Sequence, residues 1–271
     1  MNRITEAFQR AQREGRTGLV VFLTAGYPDI DATLELVPAL AHAGADVIEL
    51  GVPFSDPLAD GVTIQVSSQR ALEQGVGLRQ SLEVVGKLRD SVPETGLLLM
   101  GYYNLVFQYG AARFATDAKA AGLDGVIMVD LPEEESAPLR AELAPKDIAL
   151  VPLFAPTSTD ARIAAGCKHA SGFVYCVSLT GVTGSRSHLG GEALSLVERV
   201  RRHTSLPLAV GFGISTREHV EEVGRQADAA VVGSAFIRVL MESPRERLVE
   251  DAVSFVAQLH GDSVPSGAMP Q

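Results

Sequence analysis

Two acidic residues in this sequence, Glu49 and Asp60, have the types and spacing that proton-transfer chemistry requires. They stand eleven positions apart in the segment IELGVPFSDPLADG, Ile48–Gly61. Glu49 lies near the end of an apolar run, Ala45–Val52, that is typical of a buried strand. Because an unpaired carboxylate is costly to bury, its presence there needs a reason. A carboxylate fixed at a strand end and facing a second one across a loop can serve as acid and base in one reaction.

Both residues also have a structural explanation. Glu49 could form an ion pair with a nearby arginine at the strand end. Asp60 stands beside a glycine, and Asp56 in the same loop stands beside a proline, so both could be turn-forming residues. Taken alone, each aspartate is better explained as structural, and only the combination with Glu49 favours catalysis.

The elements that would position these side chains are eight short apolar runs, which predict strands. These runs are Leu19–Thr24, Asp46–Leu50, Gly96–Gly101, Gly125–Val129, Ile148–Phe154, Gly172–Cys176, Leu208–Gly211 and Ala229–Val232. Amphipathic segments alternate with them, without a break in composition. We therefore predict an α/β fold, a single (β/α)8 TIM barrel domain over residues 1–271. A doubly wound open sheet is the alternative, but no fingerprint glycine loop follows the first strand.

Helix starts are predicted at Asp31, at Ser158 and at Ser215–Thr216, where Glu218 is expected to complete a capping box with Ser215. The corresponding helical segments, with one further segment, are Asp31–His42, Arg113–Ala121, Ser158–Cys167 and Thr216–Gln226. These helices would pack around the outside of the barrel.

An extra helix is predicted before the first strand, at about Ile4–Glu14, where it could close the bottom of the barrel. The last residues, 261–271, are rich in glycine, serine and proline. We expect this tail to be frayed.

Three glycine-bearing turns occur at predicted C-terminal strand ends, where barrel enzymes carry their active sites. They are Thr180–Ser185, Gly211–Ser215 and Gly233–Ser234, and the last precedes a short helix predicted at Ser234–Leu240 and a longer one at Pro244–Gln258. Glycine lets backbone amides approach an anion, and a helix start adds its dipole. The turns therefore predict a phosphate site, with tight helix–strand packing as the alternative.

The loop after the sixth predicted strand, Val177–Gly190, is long and contains glycine, serine and threonine. It could be a mobile lid or an ordinary surface loop. Large apolar side chains at other strand ends could each be core residues, but together they could line a flat hydrophobic pocket. They are Phe22, Met100, Tyr102, Tyr175 and Phe212.

Composition disfavours several classes of function. With 23 basic and 33 acidic residues the net charge is −10, which argues against nucleic acid or an anionic membrane as the main partner. No lysine stands at a C-terminal strand end, which disfavours a Schiff-base aldolase. None of the six histidines pairs with another ligand at metal-binding spacing. Carboxylate acid–base chemistry on a phosphorylated, partly apolar small molecule remains.

Two cysteines, Cys167 and Cys176, are too few for a disulfide framework or a zinc site. The sequence shows neither an N-terminal signal segment nor an apolar run of about 18 residues. We therefore expect reduced thiols and a cytoplasmic protein.

From about Phe8 to Leu259 the sequence resembles the tryptophan synthase alpha chain family. The resemblance rests on five motifs, of which the first is highly specific: ELGVPFSDPLADG (Glu49–Gly61), YYNLVFQYG (Tyr102–Gly110), DLPEEES (Asp130–Ser136), SLTGVTG (Ser178–Gly184) and GFGIS (Gly211–Ser215). It implies retro-aldol cleavage of indole-3-glycerol phosphate to indole and glyceraldehyde 3-phosphate. It also implies an α2β2 complex with a beta chain, which holds the pyridoxal phosphate, and no cofactor in this chain.

The resemblance assigns roles to individual residues. Glu49 matches the main acid–base residue, Asp60 the acceptor of the indole N–H, and Thr183 a lid residue that reaches Asp60. Phosphate-binding positions match Gly184, Phe212, Gly213, Gly233 and Ser234. Indole-pocket positions match Phe22, Ile64, Met100, Tyr102, Tyr175 and Phe212. Asp56 and Asn104 match the surface that faces the beta chain.

Two departures from the family pattern concern loop closure. Val62 follows Gly61 where proline is usual, and Leu179 occupies a position that is arginine in some members.

Two other functions stay open. The chain could be chiefly an allosteric activator of a beta partner, but intact Glu49, Asp60 and Gly213 argue against this. It could also be another phosphate-binding barrel enzyme, such as an isomerase of an aminated sugar phosphate, which would not explain the Ile48–Gly61 motif.

Overall fold

The computed structural model describes residues 2–177, 191–211 and 213–261, over which strands alternate with helices. The strands are β1 (Gly18–Thr24), β2 (Val47–Gly51), β3 (Gly96–Gly101), β4 (Gly125–Met128), β5 (Ala149–Leu150), β6 (Leu153–Phe154), β7 (Val174–Val177), β8 (Leu208–Gly211) and β9 (Ala229–Val232). The helices are α1 (Arg3–Arg13), α2 (Ile30–His42), α3 (Val62–Glu73), α4 (Leu78–Arg89), α5 (Tyr103–Tyr109), α6 (Ala111–Ala121), α7 (Glu133–Leu143), α8 (Asp160–His169), α9 (Gly191–Arg201), α10 (Arg217–Gly224), α11 (Ser234–Glu242) and α12 (Leu248–His260). Within these ranges, no helix has the length and apolar character needed to cross a membrane.

All the strands are parallel and belong to one sheet, in the order β5-β4-β3-β2-β1-β9-β8-β7-β6. The two ends of that order, β5 and β6, are separated along the chain only by Val151 and Pro152. Val151 N donates to Val126 O at 3.0 Å, and Tyr175 N donates to Pro152 O at 3.0 Å. The sheet therefore closes through this segment, which confirms the predicted barrel.

The fifth predicted strand, Ile148–Phe154, is thus two short strands rather than one. Pro152 has no N–H with which to continue a strand ladder, so the regular pairing stops beside it. Its carbonyl still accepts from Tyr175 N, and for this reason the barrel wall stays closed.

Side chains from alternate strand positions fill the inside of the barrel, as Val20, Val47 and Leu98 illustrate. Helix α1 covers one end of this interior with Ile4 and Phe8, both buried. A second core lies between the strands and the surrounding helices. Because α1 precedes β1 at the N-terminal strand ends, it closes the end of the barrel opposite the C-terminal loops.

At that closed end, three aspartates repeat one arrangement. Each stands just before a strand, accepts a hydrogen bond from the first or second backbone N–H of a neighbouring strand and binds an arginine. The three sets are Asp46 with Leu19 N and Arg16, Asp124 with Leu97 N and Arg89, and Asp228 with Leu208 N and Arg201. These buried or half-buried clusters fix the strands relative to one another.

Helix starts differ from the prediction by one or two residues. The N-cap of α2 is Asp29, which accepts from Ala32 N at 2.7 Å, so Asp31 lies inside the first turn. The N-cap of α8 is Thr159, and the hydroxyl of Ser158 instead accepts from Ala155 N at 3.1 Å.

The capping box predicted between Ser215 and Glu218 is wrong. The N-cap of α10 is Thr216, whose hydroxyl accepts from His219 N. Several hydroxyl and carboxylate residues compete at such starts, and the direction of chain entry decides which one reaches the free N–H groups.

Candidate active site

Strand β2 places Glu49 inside the barrel. In the sheet it pairs with Phe22 of β1 on one side and with Leu98 of β3 on the other. Its side chain points to the same face as Val47, a member of the interior core, because side chains alternate along a strand. Glu49 is only 1% exposed, so its carboxyl group is removed from water.

The carboxyl group of Glu49 has no charged partner among the described residues. Its Oε2 makes no hydrogen bond with them, which counts against the alternative of an ion pair with an arginine. Burial, together with the nearby charge of Asp60, raises the pKa of Glu49 to about 8. The group therefore carries a proton at neutral pH, as a general acid must.

Asp60 lies at the end of the loop that joins β2 to α3, residues 52–61, which we call loop 2. The phenol of Tyr102 donates to Asp60 Oδ2 at 3.1 Å and accepts from Ala59 N at 2.9 Å. Burial raises the pKa of Asp60, and the hydrogen bond from Tyr102 opposes this rise. The phenol of Tyr102 thus binds both the carboxylate of Asp60 and the backbone of loop 2 beside it.

Further contacts hold loop 2 against Tyr102 and helix α3. The ring of Phe54 stacks on the ring of Tyr102, with centroids 4.8 Å apart. Phe54 N donates to Ser68 Oγ at 3.1 Å, and the hydroxyls of Ser67 and Thr24 are 2.6 Å apart in the core. Sequence reasoning missed Thr24, Ser67 and Ser68. Two adjacent serines within an amphipathic helix were the available signal, because hydroxyls on a buried helix face need partners.

Four of the predicted indole-pocket residues meet Asp60 in one cleft. Phe22, Ile64, Met100 and Tyr102 line it together with Asp60. The cleft is small, about 20 Å³, which is room for about one water molecule. A bicyclic ring can enter only if these side chains move apart.

Tyr175 does not line this cleft; its side chain is in the interior core and close to Glu49. Burial and the charge of Glu49 raise the pKa of the Tyr175 phenol well above its ordinary value. Phe22 lies at the mouth of the barrel, over Gly51: a Cβ atom on Gly51 would be 2.5 Å from Phe22 Cζ. This glycine is required for the ring to lie where it does.

The described part of the predicted phosphate site lies at the ends of two adjacent strands. Gly213 follows β8 by two residues and has a φ of +64° with open space at its Cβ position. Gly233 follows β9 and is the N-cap of α11, whose first residue is Ser234. A Cβ on Gly233 would be 3.7 Å from Phe22 Cβ, so this helix start is next to the cleft.

Several predicted residues lie outside the described residues. They are Thr183, Gly184, Leu179 and Phe212. The tail predicted at 261–271 also lies outside them, except for Gly261. Within the described ranges, no group of three or more His, Cys, Asp or Glu residues is arranged to hold a metal ion.

Asp56 and Asn104, the predicted partner-facing residues, are both exposed. Large apolar side chains are exposed near them on loop 2 and α3, with Leu58 95% and Val62 73% accessible. Phe107 on α5 is 66% accessible. Exposed side chains of this size on adjoining elements are typical of a surface that contacts another protein.

Comparison with known proteins agrees with this geometry over nearly the whole chain. The model of the family described as tryptophan synthase alpha chain matches residues 8–262. The tryptophan synthase alpha chain of Roseiflexus castenholzii is 51% identical over 261 residues, covering 96% of this chain and 100% of the relative. That of Chloroflexus aggregans is 51% identical over 260 residues, covering 96% and 97%.

Solved structures show the same architecture. The tryptophan synthase alpha subunit of Legionella pneumophila has a TM-score of 0.88 at 34% identity, covering 96% of this chain and 97% of that one. Tryptophan synthase from M. tuberculosis has a TM-score of 0.86 at 32% identity, covering 96% and 98%. The chain therefore belongs to the tryptophan synthase alpha chain family.

Proposed function

We propose that this chain is a lyase that cleaves indole-3-glycerol phosphate to indole and glyceraldehyde 3-phosphate, a step of tryptophan biosynthesis. The observation that carries the proposal is Glu49, a buried carboxyl group whose Oε2 lacks a described hydrogen-bond partner and whose pKa is raised to about 8. Its position inside the barrel, near a cleft lined by Asp60 and Tyr102, gives one proton donor and one proton acceptor. The reaction needs both.

In the proposed reaction, Glu49 first donates its proton to the ring carbon that carries the glycerol phosphate side chain. Asp60 accepts a hydrogen bond from the indole N–H and stabilises the positive charge that appears on that nitrogen. The Glu49 carboxylate then takes the proton of the adjacent hydroxyl group, the carbonyl forms and the carbon–carbon bond breaks. The bonding electrons return to the ring, and Glu49 ends protonated as it began.

The remaining predicted residues would bind the two ends of the substrate. Gly213, Gly233 and Ser234, with Gly184 and Phe212, would hold the phosphate through backbone N–H groups and the dipole of α11. Phe22, Ile64, Met100 and Tyr102, with Tyr175 and Phe212, would hold the indole ring. Since the cleft is only about 20 Å³, ring binding would require its lining side chains to move apart. Thr183 would meet Asp60 when the lid closes.

We further propose the beta chain of tryptophan synthase as the partner, in an α2β2 complex. Exposed Leu58, Val62 and Phe107, beside Asp56 and Asn104, support a protein contact on this side. The chain itself would use no cofactor, and pyridoxal phosphate would belong to the beta chain. Two buried free thiols are compatible with a cytoplasmic location.

The test of the activity is Glu49→Gln, assayed for indole release by the isolated chain and by the chain with a beta partner. Glutamine keeps the shape of the neutral acid but cannot give up a proton, so we expect turnover to fall by at least about a thousandfold while a substrate analogue still binds. Glu83→Gln, on the exposed face of α4, is the control and should keep full turnover. Near-normal turnover of the Glu49 variant would refute the proposal, and a chain that only activates its partner would release no indole alone.

A further inference from the structure

A cavity of about 360 Å³ lies on the outer side of the barrel, between α7 and α8. The outer side of β5, β6 and the two residues between them forms the floor of the cavity, which is lined by Leu150, Pro152 and Phe154. Leu150 and Pro152 are only partly buried, which is unusual for a barrel wall that helices normally cover. The space is large enough for a small organic molecule.

A glycine in the interior of α8 helps to form this cavity. A Cβ atom on Gly166 would be 2.6 Å from Phe154 Cζ, so no other residue fits without displacing the ring. Glycine destabilises the middle of a helix relative to alanine. The contact between Gly166 and Phe154 therefore maintains the apolar floor at some cost to the helix.

One wall of the cavity carries an arginine with unused donors. Arg140 on α7 is about one quarter exposed, and a single terminal nitrogen, NH1, makes both of its hydrogen bonds, to Glu133 Oε1 at 2.6 Å and to Ser136 Oγ at 2.7 Å. Its Nε and its other terminal nitrogen have no partner among the described residues. An arginine fork of this kind binds a carboxylate through two parallel hydrogen bonds.

The other charges around the cavity restrict the ligand further. Arg162 is already paired with Glu134 through two of its three side-chain nitrogens, Nε and NH2, and His169 on the rim is exposed. Glu133 and Asp130 also line the cavity and would repel a doubly charged group such as a phosphate ester. The two nitrogens of Arg140 that lack a described partner therefore suit a ligand group that carries a single negative charge.

The geometry points to a second binding site here, for a small monocarboxylate with a flat apolar body. The apolar part would lie on Leu150, Pro152 and Phe154, and the carboxylate would meet Arg140. Val129, at the end of β4, lines both this cavity and the cleft of Asp60, so the two spaces are neighbours. Arg140 lines only the outer cavity and not the cleft of Asp60.

Phenylacetate is a suitable probe, with phenylacetamide as its uncharged counterpart of nearly the same shape. In a titration of the isotope-labelled full chain followed by NMR, we expect saturable shifts of backbone amides in α7 and α8, with a Kd of about 1 mM. Phenylacetamide should bind at least about tenfold more weakly, because it cannot form the charged pair with Arg140. In crystals soaked with phenylacetate, the carboxylate should lie within hydrogen-bond distance of Arg140.

Arg140→Lys keeps the charge and the pair with Glu133 but removes the fork, so phenylacetate should bind about tenfold more weakly. Arg113→Lys is the matched control, since Arg113 and Asp117 form an exposed ion pair on α6. This variant should bind phenylacetate as tightly as the unchanged chain does. Thermal unfolding would verify that both variants fold. Equal binding of acid and amide, unchanged binding by Arg140→Lys, or shifts confined to the cleft of Asp60 would each overturn the proposal.

Discussion

Tyr102 holds Asp60: its phenol donates to Asp60 Oδ2 at 3.1 Å and at the same time accepts from Ala59 N at 2.9 Å. The two residues are separated by 42 positions, yet this one oxygen joins the end of β3 to the end of loop 2. Tyr102 therefore does more than line a pocket. It positions the carboxylate that would accept a hydrogen bond from the indole N–H.

We expect Tyr102→Phe to lower kcat/KM by about tenfold, because a hydrogen bond to a charged group contributes about 1.5 kcal/mol. The ring stays, so apolar contact with Phe54 is kept, and only the position of Asp60 is loosened. Steady-state assays of indole release would measure this. Tyr109→Phe is the control, since Tyr109 donates a similar hydrogen bond to Asp117 at 2.7 Å away from the cleft. Equal losses in both variants would contradict the assigned role of Tyr102.

The pH dependence of turnover follows from the raised pKa of Glu49, which is about 8. The proposed first step needs the protonated acid. Activity should therefore be constant between the pKa of Asp60 and that of Glu49. Above the pKa of Glu49 it should fall about tenfold per pH unit. A pH–rate profile of kcat/KM, with folding checked at each pH, would measure the fall. A profile that stays level well above pH 8 would show that the acid is another group.

The same carboxyl group should make the fold less stable as pH rises. In the unfolded chain Glu49 loses its proton near the ordinary glutamate pKa of 4.5, whereas in the fold it keeps the proton up to about 8. Ionisation between these values therefore favours the unfolded state, by about 1.4 kcal/mol for each pH unit. Glu49→Gln removes this effect and should stabilise the chain by about 3 kcal/mol at pH 7.

Urea unfolding at several pH values would measure that gain. It should be near zero below pH 4.5, grow as the pH rises and level off above about 8. Glu83→Gln, on an exposed surface, should show almost no gain at any pH. A gain for the Glu49 variant that does not change with pH would mean that its carboxyl group is not buried as described.

Gly51→Ala should damage the cleft through Phe22. The new Cβ atom would lie 2.5 Å from Phe22 Cζ, so the ring must move, and overpacking of this kind costs about 1–3 kcal/mol. We expect a lower Tm and a higher KM, because the displaced ring belongs to the predicted indole pocket. Gly86→Ala on α4 is the control, since its Cβ would meet nothing closer than 3.9 Å. A Gly51 variant as stable and active as the Gly86 variant would contradict this interpretation of the contact.

Sequence patterns predicted the barrel well because they depend on local chemistry. Apolar runs such as Gly96–Gly101 and Leu208–Gly211 coincide with β3 and β8, and an isolated acid in such a run, Glu49, is conspicuous. The interruption at Pro152 was harder to predict, because the ladder continues on both sides of it and the residues remain apolar. A proline in a predicted inner strand was the signal that could have been used.

Contacts between distant segments could not be predicted in the same way. Nothing in the spacing of Tyr102 and Asp60, or of Thr24 and Ser67, indicates that their oxygens meet, since no periodic pattern relates residues on different elements. Helix caps were misplaced by one or two residues for a related reason. At Ser215 and Thr216 two hydroxyls stand side by side, and only the path of the chain decides which one faces the helix.

Asp46 lies three residues before Glu49 and just before β2. It accepts from Leu19 N at 2.9 Å and from Arg16 at 2.6 and 2.8 Å, so the strand cannot slide against β1. A slip of one residue would turn Glu49 from the interior towards the helices. The direction in which Glu49, the proposed acid, points therefore depends on an ion pair at the other end of the same strand, between two residues that would not touch the substrate.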